Sequence, residues 1–114
     1  MVGIYWCKNL WRASINTHFL TTTKIGFKLH HPLFDALILK QGAQLIHFQP
    51  KGKMPLLWSA SLSTYEKGKA FRGGIPLCWP WFGKAGNPSH GFARLLEWGM
   101  VHYTESEESI ALVF

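Results

Sequence analysis

Arg72, His90 and Arg94 are the residues of this 114-residue sequence best equipped to hold an anionic, hydroxyl-rich ligand. A guanidinium offers a planar fork of N–H donors that matches phosphate or vicinal hydroxyls. An imidazole hydrogen-bonds a sugar oxygen or exchanges a proton near neutral pH. The three fall in two neighbouring stretches, Gly68-Lys69-Ala70-Phe71-Arg72-Gly73-Gly74-Ile75-Pro76-Leu77-Cys78-Trp79-Pro80-Trp81-Phe82-Gly83 and Ser89-His90-Gly91-Phe92-Ala93-Arg94. Their Gly and Pro content specifies a turning backbone rather than a helix. Phe71, Trp79, Trp81, Phe82 and Phe92 are interleaved with the basic residues, enough aromatic surface to wall a pocket. The competing reading pairs each arginine with a carboxylate. Acids are scarce here, however: residues 1–94 carry all 12 Lys and Arg but only Asp35 and Glu66, a balance of +10.

Other motifs carry less. Arg72-Gly73-Gly74 is a single copy of an RNA-binding Arg-Gly-Gly element in a β-rich, aromatic context, which is weak. Gly68-Lys69 lacks the upstream Gly and the following Ser or Thr of a phosphate-cradling loop. His30, His31 and His47 would make a poor metal site, because adjacent strand residues point to opposite faces. Cys78, between Leu77 and Trp79, reads as a small packed residue. No metal site and no Ser-His-Asp spacing emerge.

The elements that must position these residues read as β. Residues 25–30 alternate, with Phe27 and Leu29 on one face, until His31-Pro32 breaks the run. Residues 36–40 form a short apolar strand. Gly42 marks a bulge or tight bend, and residues 45–49 continue as a strand. A turn at 50–53 precedes a short strand over 55–58 and a polar loop over 59–69. Residues 97–103 and 109–114 form a hairpin around an acidic turn at 104–108. Residues 1–23 read as a separate N-terminal extension, disordered or faintly like an organelle transit peptide, in which Trp6, Leu10 and Trp11 share a helical face. The domain proper is expected over 24–114. The run stopping at apolar Phe114 leaves an exposed strand edge, which points to further strands in a complete protein.

Bulk properties agree. Hydrophobic residues make 47% and charged residues 16%, which excludes a disordered chain. Eleven Gly and six Pro suit a turn-rich β protein. The net charge of +6 conceals a C-terminal reversal, since residues 95–114 hold Glu97, Glu105, Glu107 and Glu108 and no Lys or Arg. A basic body suits an anionic partner, either nucleic acid or a phosphorylated small molecule. Cys7 and Cys78 form no zinc motif or disulfide framework, which fits a reducing, cytoplasmic setting. No run approaches the ~18 apolar residues of a membrane span.

The two-part motif, with Gln41-Gly42-Ala43-Gln44, Leu45-Ile46-His47-Phe48 and Leu57-Trp58, resembles the hexose-6-phosphate mutarotases (glucose-6-phosphate 1-epimerases) of the aldose 1-epimerase superfamily. The resemblance runs from about Lys24 to the C-terminus. It implies an antiparallel β-sandwich, the galactose-mutarotase-like supersandwich, of which only the N-terminal part is present. It implies a cofactor-free interconversion of α and β anomers of a hexose 6-phosphate; the chain is expected to be a monomer. A general acid protonates the ring oxygen, a general base takes the anomeric hydroxyl proton, and the opened ring rotates and closes. By position, Arg72 and Arg94 match the family's substrate-contacting arginines. His90 matches its active-site histidine, a support for the sugar rather than the main proton donor. Ser89 stands where yeast-type members place a substrate-touching Gln. The family's main catalytic His and Glu lie well downstream, and nothing in residues 95–114 matches them, His102, Glu105, Glu107 and Glu108 included. The chain is therefore expected to hold substrate-binding residues without the principal acid and base. The alternative is a non-catalytic sugar-phosphate-binding module, and a nucleic-acid binder ranks last.

Overall fold

In the computed structural model, residues 18–114 are described in full and residues 2–5 as backbone. The described residues form seven strands: β1 (Val2–Tyr5), β2 (Leu20–Thr22), β3 (Gly26–His30), β4 (Phe34–Leu39), β5 (Gln44–Pro50), β6 (His102–Glu105) and β7 (Ile110–Val113). They form a four-stranded antiparallel sheet, in the order β2-β3-β4-β5, and a three-stranded sheet in the order β1-β7-β6. The β6–β7 pair is antiparallel, and β1 adds to β7 in parallel.

Alternation decides which face of each strand is buried. In β3, Phe27 and Leu29 point inward while Lys28 and His30 face water. In β4, Phe34, Ala36 and Ile38 point the same way, because Phe27 registers with Ile38 and Leu29 with Ala36. Tyr103 of β6, Ile110 and Leu112 of β7, and Phe114 close over that face to form the main core. The Phe27 and Phe114 rings meet 5.8 Å apart across it. This is the expected sandwich.

Two histidines at the β3–β4 turn separate as strand geometry dictates. His30 is exposed and its Nδ1 lies 3.0 Å from Asp35. His31 is 1% exposed. Its Nδ1 accepts from the Leu33 N–H, and its Nε2 donates to the Ser106 carbonyl at 2.8 Å. The ring stacks on Phe34 and meets Phe19 edge-on. It thereby ties the β3–β4 turn to the β6–β7 turn on the opposite sheet.

The β4–β5 connection organises the other face. Lys40 to Ala43 turns tightly, the Ala43 N–H reaching the Lys40 carbonyl, with Gly42 at φ 74° in the position where such turns favour glycine. The register then slips, Leu37 pairing with His47 but Ile38 with Leu45, so Ile46 is an extra bulged residue. The bulge sends Ile46 to the second face, where it packs with Leu39 and Phe71 under Ile25, Leu37, Ala60 and Tyr65. Both faces of the four-stranded sheet are thus covered.

Between β5 and β6, residues 51–101 contain only two 3₁₀ turns, Leu62–Thr64 and Ala93–Leu95, and isolated bridges. So long an irregular excursion within a small sandwich is a usual place for function.

Two expectations need correcting. Residues 55–58 are not a strand: Pro55 has no N–H to give a ladder, and the Leu56 N–H makes a single bond to the Phe48 carbonyl. The strand expected over 97–103 starts only at His102, because Glu97 bridges to Gln41 and the Trp98 N–H bonds the Lys40 carbonyl instead. At the N-terminal end, β2 pairs with β3 from Leu20, and β1 lies along β7. Thr21 and Thr22 are β-branched and favour that extended path. The Trp6, Leu10 and Trp11 face lies outside the described residues.

Candidate functional site

Two glutamines fix the loop that carries Arg72. Gln41 and Gln44 are only 2% and 1% exposed, unusual burial for an amide. The Gln44 Nε2 donates to the carbonyls of Phe71 (3.2 Å) and Gly73 (2.6 Å), on either side of Arg72. The Gln41 amide donates to the Lys69 carbonyl and accepts from the Gly68 N–H. Backbone bonds complete the docking: the Gly74 N–H reaches the Trp58 carbonyl and the Ile75 N–H the Leu45 carbonyl. Gly74 sits at φ 62°, and a Cβ there would lie 2.1 Å from the Leu45 carbonyl oxygen, so only glycine lets the loop lie this close. Buried amides satisfied in this way impose one loop path rather than merely adding cohesion.

The second loop is cross-linked internally. The Trp79 carbonyl accepts the N–H groups of both Phe92 and Ala93, and the Trp79–Pro80 and Asn87–Pro88 peptides are cis. The Phe92 ring meets Trp79 and Trp81 edge-on, at 5.8 and 6.0 Å. The Trp81 indole N–H donates to the Pro88 carbonyl, and the Trp98 indole N–H to the Ala93 carbonyl. Gly83 binds Ser89 and His90 through both its carbonyl and its N–H. Its carbonyl accepts the His90 N–H and the Ser89 hydroxyl, and its N–H donates to the His90 Nδ1 at 3.1 Å. The His90 ring also lies edge-on to Phe82, 4.8 Å away. Arg94, in the middle of its 3₁₀ turn, packs against Gly42, where a Cβ would sit 2.9 Å from the Arg94 Cα. Its Nη2 donates to the Ser89 carbonyl at 2.8 Å.

Both loops therefore dock on the β4–β5 turn and the start of β5, residues 41–45. Ser89, His90 and Arg94 are directly connected, and Arg72 joins them through that turn rather than by side-chain contact.

Four of the six acids are engaged elsewhere. Asp35 pairs with Lys51 and His30, Glu66 with Lys69, and Glu97 with Lys67. Glu105, whose side chain is 10% exposed, is ringed by donors: the Tyr103 hydroxyl, the His18 and Phe19 N–H groups and the His18 ring. Burial opposes its ionisation, but those hydrogen bonds outweigh it and hold the carboxyl down at about 2. Burial pushes the Tyr103 hydroxyl well above its ordinary pKa, and the neighbouring Glu105 raises it further. Among the described residues neither Arg72 nor Arg94 meets a carboxylate, so the pairing reading fails for both. The Arg94 Nε is buried and has no acceptor among the described residues. A buried donor of a charged group left unmade costs about 1–3 kcal/mol or more.

The aromatic expectation divides. Phe71 and Trp81 pack inward, whereas Trp79 is 57% and Phe82 76% exposed. They offer open faces beside the donors rather than a closed wall. Cys78 is half-buried with a free thiol. The Ser89 hydroxyl is turned onto the Gly83 carbonyl, so this residue serves the loop through both its side chain and its carbonyl. The sequence signal for Gln41 and Gln44 was present, two amides bracketing Gly-Ala in an apolar run, but their partners lie 27 to 29 residues away.

The aldose 1-epimerase family profile matches residues 27–114, most of the chain, and with the sandwich and its two loops this defines the class: the chain belongs to the aldose 1-epimerase family. Among individual relatives, proteins of Salmonella typhimurium and Escherichia coli, each provisionally named glucose-6-phosphate 1-epimerase, are 42% identical over 87 residues. That stretch is 74% of this chain and 30% of each relative. A crystal structure of a Salmonella typhimurium protein described provisionally as a mutarotase superposes with a TM-score of 0.73 at 36% identity, covering 83% of this chain and 35% of that one. The structure of HI1317 agrees, with a TM-score of 0.72 over 82% of this chain. The chain thus spans about a third of the length of the proteins it resembles. Among its described residues, no helix is long and apolar enough to cross a membrane.

Proposed function

We propose that this chain is the sugar-phosphate-binding portion of a hexose-6-phosphate 1-epimerase, with Arg72, His90 and Arg94 as its ligand contacts. The observation that carries the reading is a set of basic donors without acids: among the described residues, neither Arg72 nor Arg94 meets a carboxylate. A ligand rich in acceptor oxygens, such as a phosphorylated sugar, satisfies such donors. The names of the relatives supply the hexose 6-phosphate. The anomer exchange itself needs an acid at the ring oxygen and a base at the anomeric hydroxyl, steps that typically contribute ~10²–10⁴-fold. Within β6, Glu105 is occupied by its four donors.

Calorimetric titration tests the binding half. Glucose 6-phosphate is expected to bind the chain at least about tenfold more tightly than glucose, roughly 1.4 kcal/mol. Equal affinities refute the phosphate role of the arginines. Exchange NMR of the glucose 6-phosphate anomers tests the catalytic half. The 114-residue chain is expected to leave exchange at the rate of buffer, and robust turnover refutes the assignment of acid and base. The locked state of Glu105 also favours a second reading, a binding module without catalysis. A polypeptide extended to the length of its relatives that binds yet fails to accelerate exchange would establish that reading instead.

A further inference from the structure

We infer that the backbone of Gly83 sets the tautomer of His90, making this side chain a fixed hydrogen-bond donor towards the ligand. The inference rests on the sugar-phosphate reading only for the identity of that ligand. A neutral imidazole has one nitrogen that donates and one that accepts. At His90 the choice is made by geometry. The Gly83 N–H points at Nδ1 from 3.1 Å, so Nδ1 must present its lone pair and Nε2 must carry the proton. A proton on Nδ1 would set two N–H groups against each other.

Three further contacts hold that arrangement. The His90 N–H bonds the Gly83 carbonyl at 2.7 Å, and the Ser89 hydroxyl bonds the same carbonyl, so Gly83 cannot turn away. The edge-on Phe82 ring fixes the plane of the imidazole. His90 itself is held at φ 65° and Gly83 at φ 63°, left-handed conformations that aim the ring back across the loop. The consequence is chemical. Arg94 can only donate, and with Nε2 as its outward nitrogen His90 also only donates. The cluster therefore selects oxygen atoms that accept, the phosphoryl or ether oxygens of a sugar phosphate, and Gly83 acts as a positioning residue for that selection.

Nitrogen-15 NMR of the histidine-labelled chain at mildly alkaline pH tests this directly, without ligand or turnover. The expected result is a pyridine-like Nδ1 and a pyrrole-like Nε2 for His90. The reverse pattern, or an averaged shift from a mixture, overturns the inference. His90→Asn is well suited to the left-handed position and keeps an acceptor near Nδ1 for Gly83, but it has no donor at the Nε2 position. It is expected to keep the loop, read by its backbone amide shifts, and to weaken glucose 6-phosphate binding about tenfold. Unchanged affinity with an intact loop refutes the donor role. If the wild-type chain shows the Nε2–H tautomer but binds no sugar phosphate, the functional reading fails while the tautomer assignment stands.

Discussion

Replacing Gln44 by Leu is the most searching perturbation of the site's scaffold. Leucine has nearly the same volume and suits the buried position, so packing changes little. The loss is confined to one amide that donates to the Phe71 and Gly73 carbonyls. Leaving a buried acceptor unmade costs about 1–3 kcal/mol, so the pair is expected to cost roughly 2–4 kcal/mol. For a domain of this size that lowers Tm by roughly 8–16 °C. Gln49→Leu is the control, because its Nε2 donates to the Lys53 carbonyl at the exposed surface. It is expected to cost less than about 0.5 kcal/mol. Urea unfolding followed by circular dichroism gives both values, and calorimetry below the transition gives glucose 6-phosphate affinity. Because the lost bonds flank Arg72, affinity should fall in Gln44→Leu and hold in Gln49→Leu. Equal stability in the two variants refutes the view that buried amides define the loop.

Three further outcomes are expected. Glu105 has its carboxyl lowered from 4.5 to about 2, so its stabilisation is complete above about pH 5 and is lost as pH falls from there towards 2. Allowing for solvent near the carboxylate, this amounts to roughly 2 kcal/mol, and Glu105→Gln should flatten that limb of an acid titration of stability. Gly91→Ala places a Cβ 2.1 Å from the Trp79 carbonyl oxygen at φ 73°, and is expected to cost at least about 2 kcal/mol by denaturant unfolding. Arg72→Ala should weaken glucose 6-phosphate binding about tenfold in a calorimetric titration and leave glucose binding nearly unchanged, since its exposed guanidinium has no structural partner among the described residues.

The sequence was most legible where one local rule was enough. Alternation in residues 25–30 put Phe27 and Leu29 in the core, and the same rule separated His30 from His31. The Gly- and Pro-rich stretches announced irregular loops, and the shortage of acids announced unpaired arginines. What stayed hidden depends on contacts distant along the chain. Nothing near Ser89 indicates that its hydroxyl is spent on Gly83, because the loop must close before the two meet. Residues 97–101 carry a strand-like pattern, yet the β4–β5 turn captures Glu97 and Trp98 first. Glu105 looked like one more acid in a polar turn, and its burial is imposed by Tyr103 and by chain arriving from residues 18 and 19.

Strand β4 has a consequence for motion. Ile38 and Leu39 are successive residues, yet both are fully buried, one in each of the two cores. Its backbone is hydrogen-bonded on both sides, by β3 and by β5. No partial opening frees it while either core is intact, so its amide hydrogens should be the last to exchange with deuterated water. The turn that bears both arginine loops begins one residue after this strand. The proposed ligand donors would then be fastened to the slowest-exchanging of the described strands, leaving them the freedom of side chains on a timescale far shorter than unfolding.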